Sequence, residues 1–380
     1  MTPDPSIAAA PRLAWSLLPP EWLDVCAAGR QPAFRARQIW KWLYQERVEN
    51  WEAMTNLPAA WRQALAPAFP LSPWLAAERQ VAADGVTKLL LTCRDGQAIE
   101  TVLIPSDERL TLCVSTQAGC AFCCAFCATG RGGYVRNLDA GEIVGQYMAA
   151  SRAAAPRRLT HLVVMGMGEP FANYEATLRA VRIFNDYDGI GIGARRITLS
   201  TCGVVPGIRR LAGENLQVEL SVSLHAPTDE LRSAIMPVNR QWPLAELLAA
   251  CTDYTERTGR IITFEYTLVA GLNDSPAHAD ALLACIRPVH GRVNLIPLSP
   301  VDGYEGHPPT PEACEAFARR LSQGGVNVTL RQSRGGGIDA ACGQLRFRRR
   351  AALTPNATTD TGGAPDASRP ADQHRNKRAT

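Results

Sequence analysis

The chain has 380 residues, a formal net charge of +4 and a hydrophobic fraction of 46%. This length fits one large domain with a smaller accessory domain, and the mild charge does not by itself indicate a nucleic-acid partner. No apolar run is long enough to span a membrane, and the N-terminus lacks the features of a secretory signal. We therefore expect a cytoplasmic protein.

The first 105 residues predict a loose start followed by a small helical module. Residues 1–19 are rich in proline and alanine, and apolar side chains then recur at helical spacing. "TKLLLTC" and "AIETVLIP" predict a β-hairpin that ends this accessory domain, 20–105. The segment "FRARQIWKW" fits RNA contact and a helix with a tryptophan-rich core face equally well. Its basic and aromatic residues are Arg35, Arg37, Trp40, Lys41 and Trp42.

Residues 106–350 predict an α/β fold, in which seven short apolar strands, from "TLCVST" to "GVNVTLRQS", alternate with helical stretches. Strand and helix alternation implies a parallel sheet, and about six such units indicate a partial (β/α)6 barrel. Functional residues in such barrels follow the C-terminal ends of the strands. Segment 351–380 has almost no large apolar side chains, so we expect a disordered tail.

The cysteine content points to a metal centre. Twelve cysteines occur in the chain, and Cys120, Cys124 and Cys127 form a C-x3-C-x2-C pattern after the first barrel strand. A structural zinc site normally has four protein ligands, and no second C-x2-C or closely spaced histidine pair supplies the fourth. With three cysteines, a [4Fe–4S] cluster keeps one iron open to bind a small molecule. The ligand count therefore favours the cluster over zinc.

This cysteine pattern resembles that of the radical S-adenosylmethionine superfamily. The resemblance implies one [4Fe–4S] cluster per chain, whose open iron binds S-adenosylmethionine and cleaves it to a 5′-deoxyadenosyl radical. "VVMGMGEP" resembles the glycine-rich motif of the superfamily, in which Gly168 and Glu169 would hold the amino group of the cofactor. Ser200, Ser223 and His225 follow the next strands and could line the same mouth. For His225, a purely structural role is equally consistent with the sequence.

Several motifs along residues 20–350 are together similar to the RlmN family, the dual-specificity 23S rRNA and tRNA adenine C2-methyltransferases. The C-terminal motif, which contains Cys342, is not a general feature of radical enzymes. The matching segments are "FRARQIWKWLY", "MTNLP", "TLCVSTQAGC", "FCATGRGGYVRNL", "VMGMGEP", "ITLSTCGVVPGI", "SVSLHAPTDELR", "VNLIPLSP" and "RGGGIDAACGQL".

The resemblance implies a route around the low nucleophilicity of adenine C2. Cys342 would take a methyl group from one S-adenosylmethionine, and a second S-adenosylmethionine would generate the radical that activates this methyl group for addition to C2. Cys113 would then attack Cys342, release the methylated base and leave a transient disulfide. Glu100 would accept a proton; without the resemblance it is an ordinary exposed strand glutamate.

The resemblance also implies the remaining cofactor contacts and the partners. Leu224 and Ser299 join the residues expected to bind S-adenosylmethionine, although the family usually has Asn-Pro where this chain has Ser299-Pro300. The expected substrates are adenine 2503 of 23S rRNA and adenine 37 of tRNA, with a flavodoxin-like electron donor and a monomeric enzyme. The alternatives are an adenine C8-methyltransferase, a non-catalytic Fe–S or zinc RNA-binding protein, and an Fe–S electron carrier.

Overall fold

A three-helix module begins the fold, as the helical spacing predicts. The structure, a computed structural model, describes residues 11–331, 334–341 and 343–345. The module consists of α1 (Pro19–Ala28), α2 (Phe34–Tyr44) and α3 (Ala59–Ala68). Helix α2 buries Ile39, Trp40, Leu43 and Tyr44, which lie on one face of a helix with 3.6 residues per turn. The module is thus held by an apolar core rather than by its surface charges.

The segment before α1 is ordered, so the prediction of a loose start is wrong for its described part, residues 11–18. Trp15 and Leu17 are almost fully buried, and the Trp15 carbonyl accepts a hydrogen bond from the Tyr44 hydroxyl at 3.3 Å. The large apolar side chains stabilise this segment despite its proline and alanine content, because burying each one is worth about 2 kcal/mol. Residues 1–10 lie outside the described part of the chain.

Within the described residues, the main sheet has ten strands in the order β1, β2, β3, β4, β7, β8, β9, β10, β11, β12. Strands β1 to β4 pair antiparallel, and β4 and β7 to β12 pair parallel. The strands are β1 (Trp74–Val81), β2 (Thr87–Cys93), β3 (Ala98–Pro105), β4 (Leu110–Cys113), β5 (Gln117–Gly119), β6 (Tyr134–Asn137), β7 (His161–Val164), β8 (Ile197–Thr201), β9 (Glu219–Ser223), β10 (Ile262–Leu268), β11 (Gly291–Pro297) and β12 (Val328–Leu330).

Helices connect the parallel strands and complete the predicted partial barrel. Several of them begin at side-chain caps: Asp139 caps α5, Thr228 caps α8 and Thr310 caps α11. These helices are α4 (Ala128–Arg131), α5 (Ala140–Ala154), α6 (Tyr174–Asn185), α7 (Val205–Leu211), α8 (Asp229–Ile235), α9 (Leu244–Thr258), α10 (Pro276–Ile286) and α11 (Pro311–Gln323). Strand β10 is buried along its whole length, as expected of a strand covered on both faces.

The predicted hairpin is confirmed as β2 and β3, but it is not a separate part of an accessory domain. Strand β3 pairs with β4 from Val102 to Pro105, so the hairpin continues the barrel sheet. The predicted boundary at residue 105 therefore falls between two paired strands. Strand β1, which the sequence analysis did not identify, pairs with β2 at the edge of the sheet and is mostly exposed.

No helix in the described part of the chain is long and apolar enough to cross a bilayer. The predicted disordered tail, 351–380, lies outside the described residues. Cys342 also lies outside them, between two described segments.

Candidate active site

The three predicted cluster ligands lie on one loop that the hairpin of β5 and β6 supports. Cys120 follows β5, and its N–H donates to the Gly133 carbonyl at 3.1 Å. Gly119 has a φ of +83°, and a Cβ there would lie 1.9 Å from the Gly133 oxygen, so only glycine fits. The Cys127 N–H donates to the Cys124 carbonyl at 3.1 Å. The loop thus presents all three cysteines to one cleft.

Burial dominates the electrostatics of this loop. Burial raises the pKa of Cys120 to about 12 and raises that of Cys124 well above its ordinary value, with further increases from neighbouring thiols. Bound iron would supply the positive charge that stabilises thiolates here. In the described residues, no group of three or more His, Cys, Asp or Glu side chains is spaced to hold a metal ion. In a [4Fe–4S] cluster each cysteine would bind a different iron, so the three thiols would not need to converge on a single metal ion.

Strand β7 is followed by a turn that presents Glu169 to the cleft. Gly168 has a φ of +98°, and a Cβ there would lie 2.5 Å from the Gln117 Cβ, which explains the glycine. The Glu169 carboxylate accepts N–H groups from Phe171 at 3.0 Å and from Cys202 at 2.7 Å. Burial raises the pKa of Glu169, while these N–H donors partly offset the shift. A fixed, buried carboxylate of this kind can bind an ammonium group.

One cleft collects most of the predicted cofactor residues. It holds about 990 Å³ of empty space, part of which is open to solvent. Leu224 is an exception, because its side chain is fully buried and only its backbone is positioned nearby, with its N–H donating to the Glu265 carbonyl at 3.0 Å. The predicted residues that line the cleft are Cys120, Cys124, Cys127, Gly168, Glu169, Ser200, Ser223, His225 and Ser299.

His225 combines the two roles that the sequence left open. It is buried, and its Nδ1 accepts the Thr267 N–H at 2.9 Å. Its ring also packs edge-on against Phe126, with 4.8 Å between ring centroids, and it lines the cleft. Burial lowers the pKa of His225 to about 3, so the imidazole is neutral and carries its proton on Nε2. The residue is structurally satisfied and belongs to the site.

Arg232 holds the strand ends together, and the sequence analysis did not single it out. Its side chain is fully buried on α8. The guanidinium donates to the Cys202 carbonyl at 2.7 Å, the Ser223 carbonyl at 3.1 Å and the Leu224 carbonyl at 3.2 Å. It also donates to the Asn239 side chain at 2.8 Å. A motif match gives no sign of this role, because the partners are backbone carbonyls of two different strands.

Other residues of the cleft were also missed. Cys202 reads as an isolated cysteine in the sequence, yet it lines the cleft. Gln117 accepts the Glu169 N–H at 2.8 Å and donates to the Asn137 side chain at 2.8 Å. It therefore joins the cluster-loop hairpin to the turn after β7. Cys123, the neighbour of Cys124 in sequence, is exposed and has a φ of +50°.

Glu100 and Cys113 lie on one face of the sheet, next to the cleft. Val102 of β3 pairs with Lys88 of β2 and with Cys113 of β4. Directly paired residues and residues two apart share a face, so Lys88, Glu100 and Cys113 do so. Glu100 is buried, not exposed, and its Oε1 lies 3.1 Å from the Lys88 Nζ. The ordinary exposed glutamate that the isolated strand suggested is therefore excluded.

The residues beside Cys342 contact both the sheet face and the cluster loop. Before it, Lys88 Nζ donates to the Asp339 carbonyl at 3.5 Å. After it, the Gly343 carbonyl accepts the Ala128 N–H at 2.5 Å, and Gly343 lines the cleft. Cys342 itself lies outside the described residues.

The comparisons with known proteins agree with this architecture. A model of the radical SAM superfamily matches residues 114–284, and one of the ribosomal RNA large subunit methyltransferase N-terminal domain matches residues 24–69. The crystal structure of a radical SAM methyltransferase from Sphaerobacter thermophilus is similar, with a TM-score of 0.86 and 49% sequence identity. That alignment covers 89% of this chain and 100% of the other. Fold and site thus define a radical S-adenosylmethionine enzyme.

Relatives that align over most of their length identify the family within this class of enzymes. The chain is 49% identical over 347 residues to a probable dual-specificity RNA methyltransferase RlmN of Moorella thermoacetica, covering 89% of this chain and 98% of the relative. It is 46% identical over 331 residues to a probable dual-specificity RNA methyltransferase RlmN of Symbiobacterium thermophilum, covering 86% of this chain and 89% of the relative. The chain belongs to the RlmN family of RNA methyltransferases.

Proposed function

We propose that this chain methylates C2 of adenine in RNA through a methylated cysteine. The observation that carries the proposal is the junction of the cofactor cleft with the sheet face that bears Glu100 and Cys113. Ser115 makes this junction, because its hydroxyl donates to the Glu100 carbonyl at 2.6 Å and accepts the Met167 N–H at 2.8 Å. Ser115 therefore connects the strand that carries Glu100 to the turn that carries Glu169.

The cleft supplies the cofactor contacts. Cys120, Cys124 and Cys127 would hold a [4Fe–4S] cluster, and Glu169 would bind the ammonium group of S-adenosylmethionine. Ser200, Ser223, Leu224, His225 and Ser299 would complete the cofactor site, with Leu224 contributing its backbone. When bound, the cluster and S-adenosylmethionine would together supply a carbon-centred radical that removes hydrogen from a methyl group.

The covalent steps fall to three residues of this chain. Cys342 would attack the sulfonium methyl, so that a bond from sulfur to carbon forms while the sulfonium bond to that carbon breaks. After the methylene carbon is joined to C2, the adduct would carry an unpaired electron. Glu100 would accept the C2 proton, and this electron would return to the cluster held by Cys120, Cys124 and Cys127. Cys113 would then attack the Cys342 sulfur; the disulfide forms, the bond from Cys342 to the methylene carbon breaks, and that carbon takes a proton to become the methyl group.

We further propose 23S rRNA and tRNA as substrates, a flavodoxin-like electron donor, a monomeric state and a cytoplasmic location. The helical module offers exposed cations for RNA phosphates: the Arg37 and Lys41 side chains are 81% and 61% exposed. Trp40 does not belong to that surface, because it is buried and its indole N–H donates to the Asp186 carboxylate at 3.0 Å. Access to C2 requires the target base to be unstacked.

The test is to trap the covalent intermediate. The Cys113→Ala variant, expressed with its RNA, should accumulate a protein–RNA adduct at Cys342, because no thiol resolves it. Denaturing gels and peptide mass spectrometry measure the adduct. The matched control is Cys251→Ala, which removes another buried thiol in α9, away from the cleft, and should trap no more adduct than wild type.

Two results would count against the proposal. If wild-type enzyme with S-adenosylmethionine never carries a methyl group on Cys342, the methyl-cysteine route is wrong. If the product nucleoside is 8-methyladenosine rather than 2-methyladenosine by mass spectrometry against standards, the C2 assignment is wrong, because the trap alone does not separate these two reactions.

A further inference from the structure

Lys88 occupies an unusual place for a lysine, deep on the sheet face that carries Glu100 and Cys113. It is 8% exposed and Glu100 is 4% exposed, and Lys88 Nζ lies 3.1 Å from Glu100 Oε1. The pair is diagonal across β2 and β3, because Glu100 pairs directly with Leu90. Desolvation makes buried ion pairs weak contributors to stability, so folding alone gives little reason for this one.

The same ammonium group also reaches the segment that leads to residue 342. Lys88 Nζ donates to the Asp339 carbonyl at 3.5 Å, so it contacts both Glu100 and this segment. Two other contacts hold the segment without Lys88. The Gly335 N–H donates to Asp84 at 2.8 Å, and the Arg334 guanidinium donates to the Pro105 carbonyl at 2.5 Å.

The composition of the chain adds an independent observation. Only three of its 40 basic residues are lysines, at positions 41, 88 and 377. Arginine is therefore the usual cation of this protein, and one of its few lysines occupies the buried position beside Glu100. An ammonium is a compact point charge on a flexible stem, whereas a guanidinium is a wide planar group. The position fits a small cation that leaves room for a substrate base.

We infer that Lys88 is a positioning residue for Glu100: its ammonium fixes the carboxylate beside the segment that carries Cys342, in the orientation that receives the adenine C2 proton. This inference rests on the proposed function, since it assigns Lys88 to the proton-removal step of that reaction. Lys88 acts through Glu100 and forms no bond with the substrate. Loading of the methyl group onto Cys342, which precedes proton removal, does not depend on it.

The test compares reaction steps in Lys88→Met. Methyl loading of Cys342, measured by peptide mass spectrometry, should match wild type. Formation of 2-methyladenosine should fall on the order of 100-fold, the lower range for a positioned acid–base group. With RNA deuterated at adenine C2, the variant should show a larger isotope effect than wild type, because proton removal has become slow. A residue that only supports folding would not change that isotope effect.

Two further variants separate positioning from instability. Arg260→Met removes one of the two cations that pair with Glu219; the Arg260 and Glu219 side chains are 14% and 19% exposed, and Arg292 is the other cation. It should lower thermal stability without enlarging the isotope effect. The double variant Lys88→Met with Glu100→Gln removes both charges, which keeps the fold from holding an unpaired buried carboxylate. It should be no less active than Glu100→Gln alone, because the two residues act in one step.

The inference fails if Lys88→Met loses methyl loading as severely as methylated product, or if its isotope effect equals that of wild type. It also fails if the double variant is markedly less active than Glu100→Gln. A wild-type enzyme that forms no 2-methyladenosine would instead refute the proposed function. Product formation by the wild type is therefore measured before any variant is compared.

Discussion

The two sides of the candidate active site use the sheet in different ways. On the cofactor side, which comprises Cys120, Cys124, Cys127, Glu169 and the cleft around them, the four named residues lie on the loop between β5 and β6 and on the turn after β7. On the ribbon side, which comprises Lys88, Glu100 and Cys113, they lie within paired strands β2, β3 and β4. Loops can wrap a cofactor, whereas a paired strand holds each side chain at a fixed register. The second arrangement suits attack and proton removal, which need fixed distances.

The two sides also differ in the contacts that hold their residues in place. The cofactor side depends on groups brought from separate loops, and it needs the buried Arg232 to hold β8 and β9 by their terminal carbonyls. The ribbon side needs no such clamp, because ladder hydrogen bonds already fix its backbone. Substitutions on the two sides should therefore affect different measurements.

The largest expected effect comes from Cys124→Ala on the cofactor side. Loss of one of the three proposed cluster ligands should abolish stable iron binding, and with it all formation of 2-methyladenosine. Iron and sulfide analysis of the purified protein and electron paramagnetic resonance measure the cluster. Cys123→Ala is the matched control, because this neighbouring cysteine is exposed and should keep a full complement of iron. Equal iron loss in both variants would contradict the assignment of Cys124.

Glu100→Gln, on the ribbon side, should separate chemistry from binding. The amide has the same shape but accepts no proton, so product formation should fall by about 10²- to 10⁴-fold. The affinity for S-adenosylmethionine, measured by equilibrium dialysis, should stay within about twofold of wild type, because Glu100 does not line the cofactor cleft. A loss of cofactor affinity in this variant would erase the distinction between the two sides.

Glu169→Gln should show the opposite pattern. A hydrogen bond to a charged group is worth about 1.5–3 kcal/mol, so S-adenosylmethionine should bind about tenfold to a hundredfold more weakly, as measured by equilibrium dialysis. Iron content should remain that of wild type, since Glu169 is not a cluster ligand. The control is Glu175→Gln, because Glu175 is an exposed glutamate at the start of α6. Unchanged affinity in Glu169→Gln would remove Glu169 from the cofactor site.

The smallest effect concerns the pH dependence of stability and involves His225. Its pKa of about 3 in the folded state lies below the value of about 6.5 in the unfolded chain. The unfolded chain therefore binds the proton first, and stability falls as the pH drops below about 6.5, until it levels near the folded pKa. At about pH 5.5 the wild type should have lost about 1.4 kcal/mol more than His225→Asn, relative to about pH 7.5. Denaturant unfolding at the two pH values measures this, and identical losses would show that the pKa of His225 is not lowered in the fold.

Much of the cofactor side could be predicted because each part is a short continuous segment. The spacing of Cys120, Cys124 and Cys127 predicts a ligand set, and the structure places these cysteines on one cleft. The segment "VVMGMGEP" predicts the turn with Glu169. Arg232, Gln117 and Cys202 escaped prediction, because each acts through backbone groups or loops that are distant in sequence. The prediction of a loose start was wrong for a similar reason. It rested on the proline and alanine content, whereas the burial of Trp15 and Leu17 becomes visible only in the packed module.

The sequence by itself determined the alternation of strands and helices, the cysteine loop and the family, since local periodicity and contiguous motifs encode all three. Only the tertiary structure decided that the hairpin belongs to the barrel sheet and that Lys88, Glu100 and Cys113 share one face. The physical reason is the register of the strands. A shift of one residue between two strands moves every side chain to the opposite face. The pairing that fixes this register forms between segments whose local sequences do not predict each other as partners.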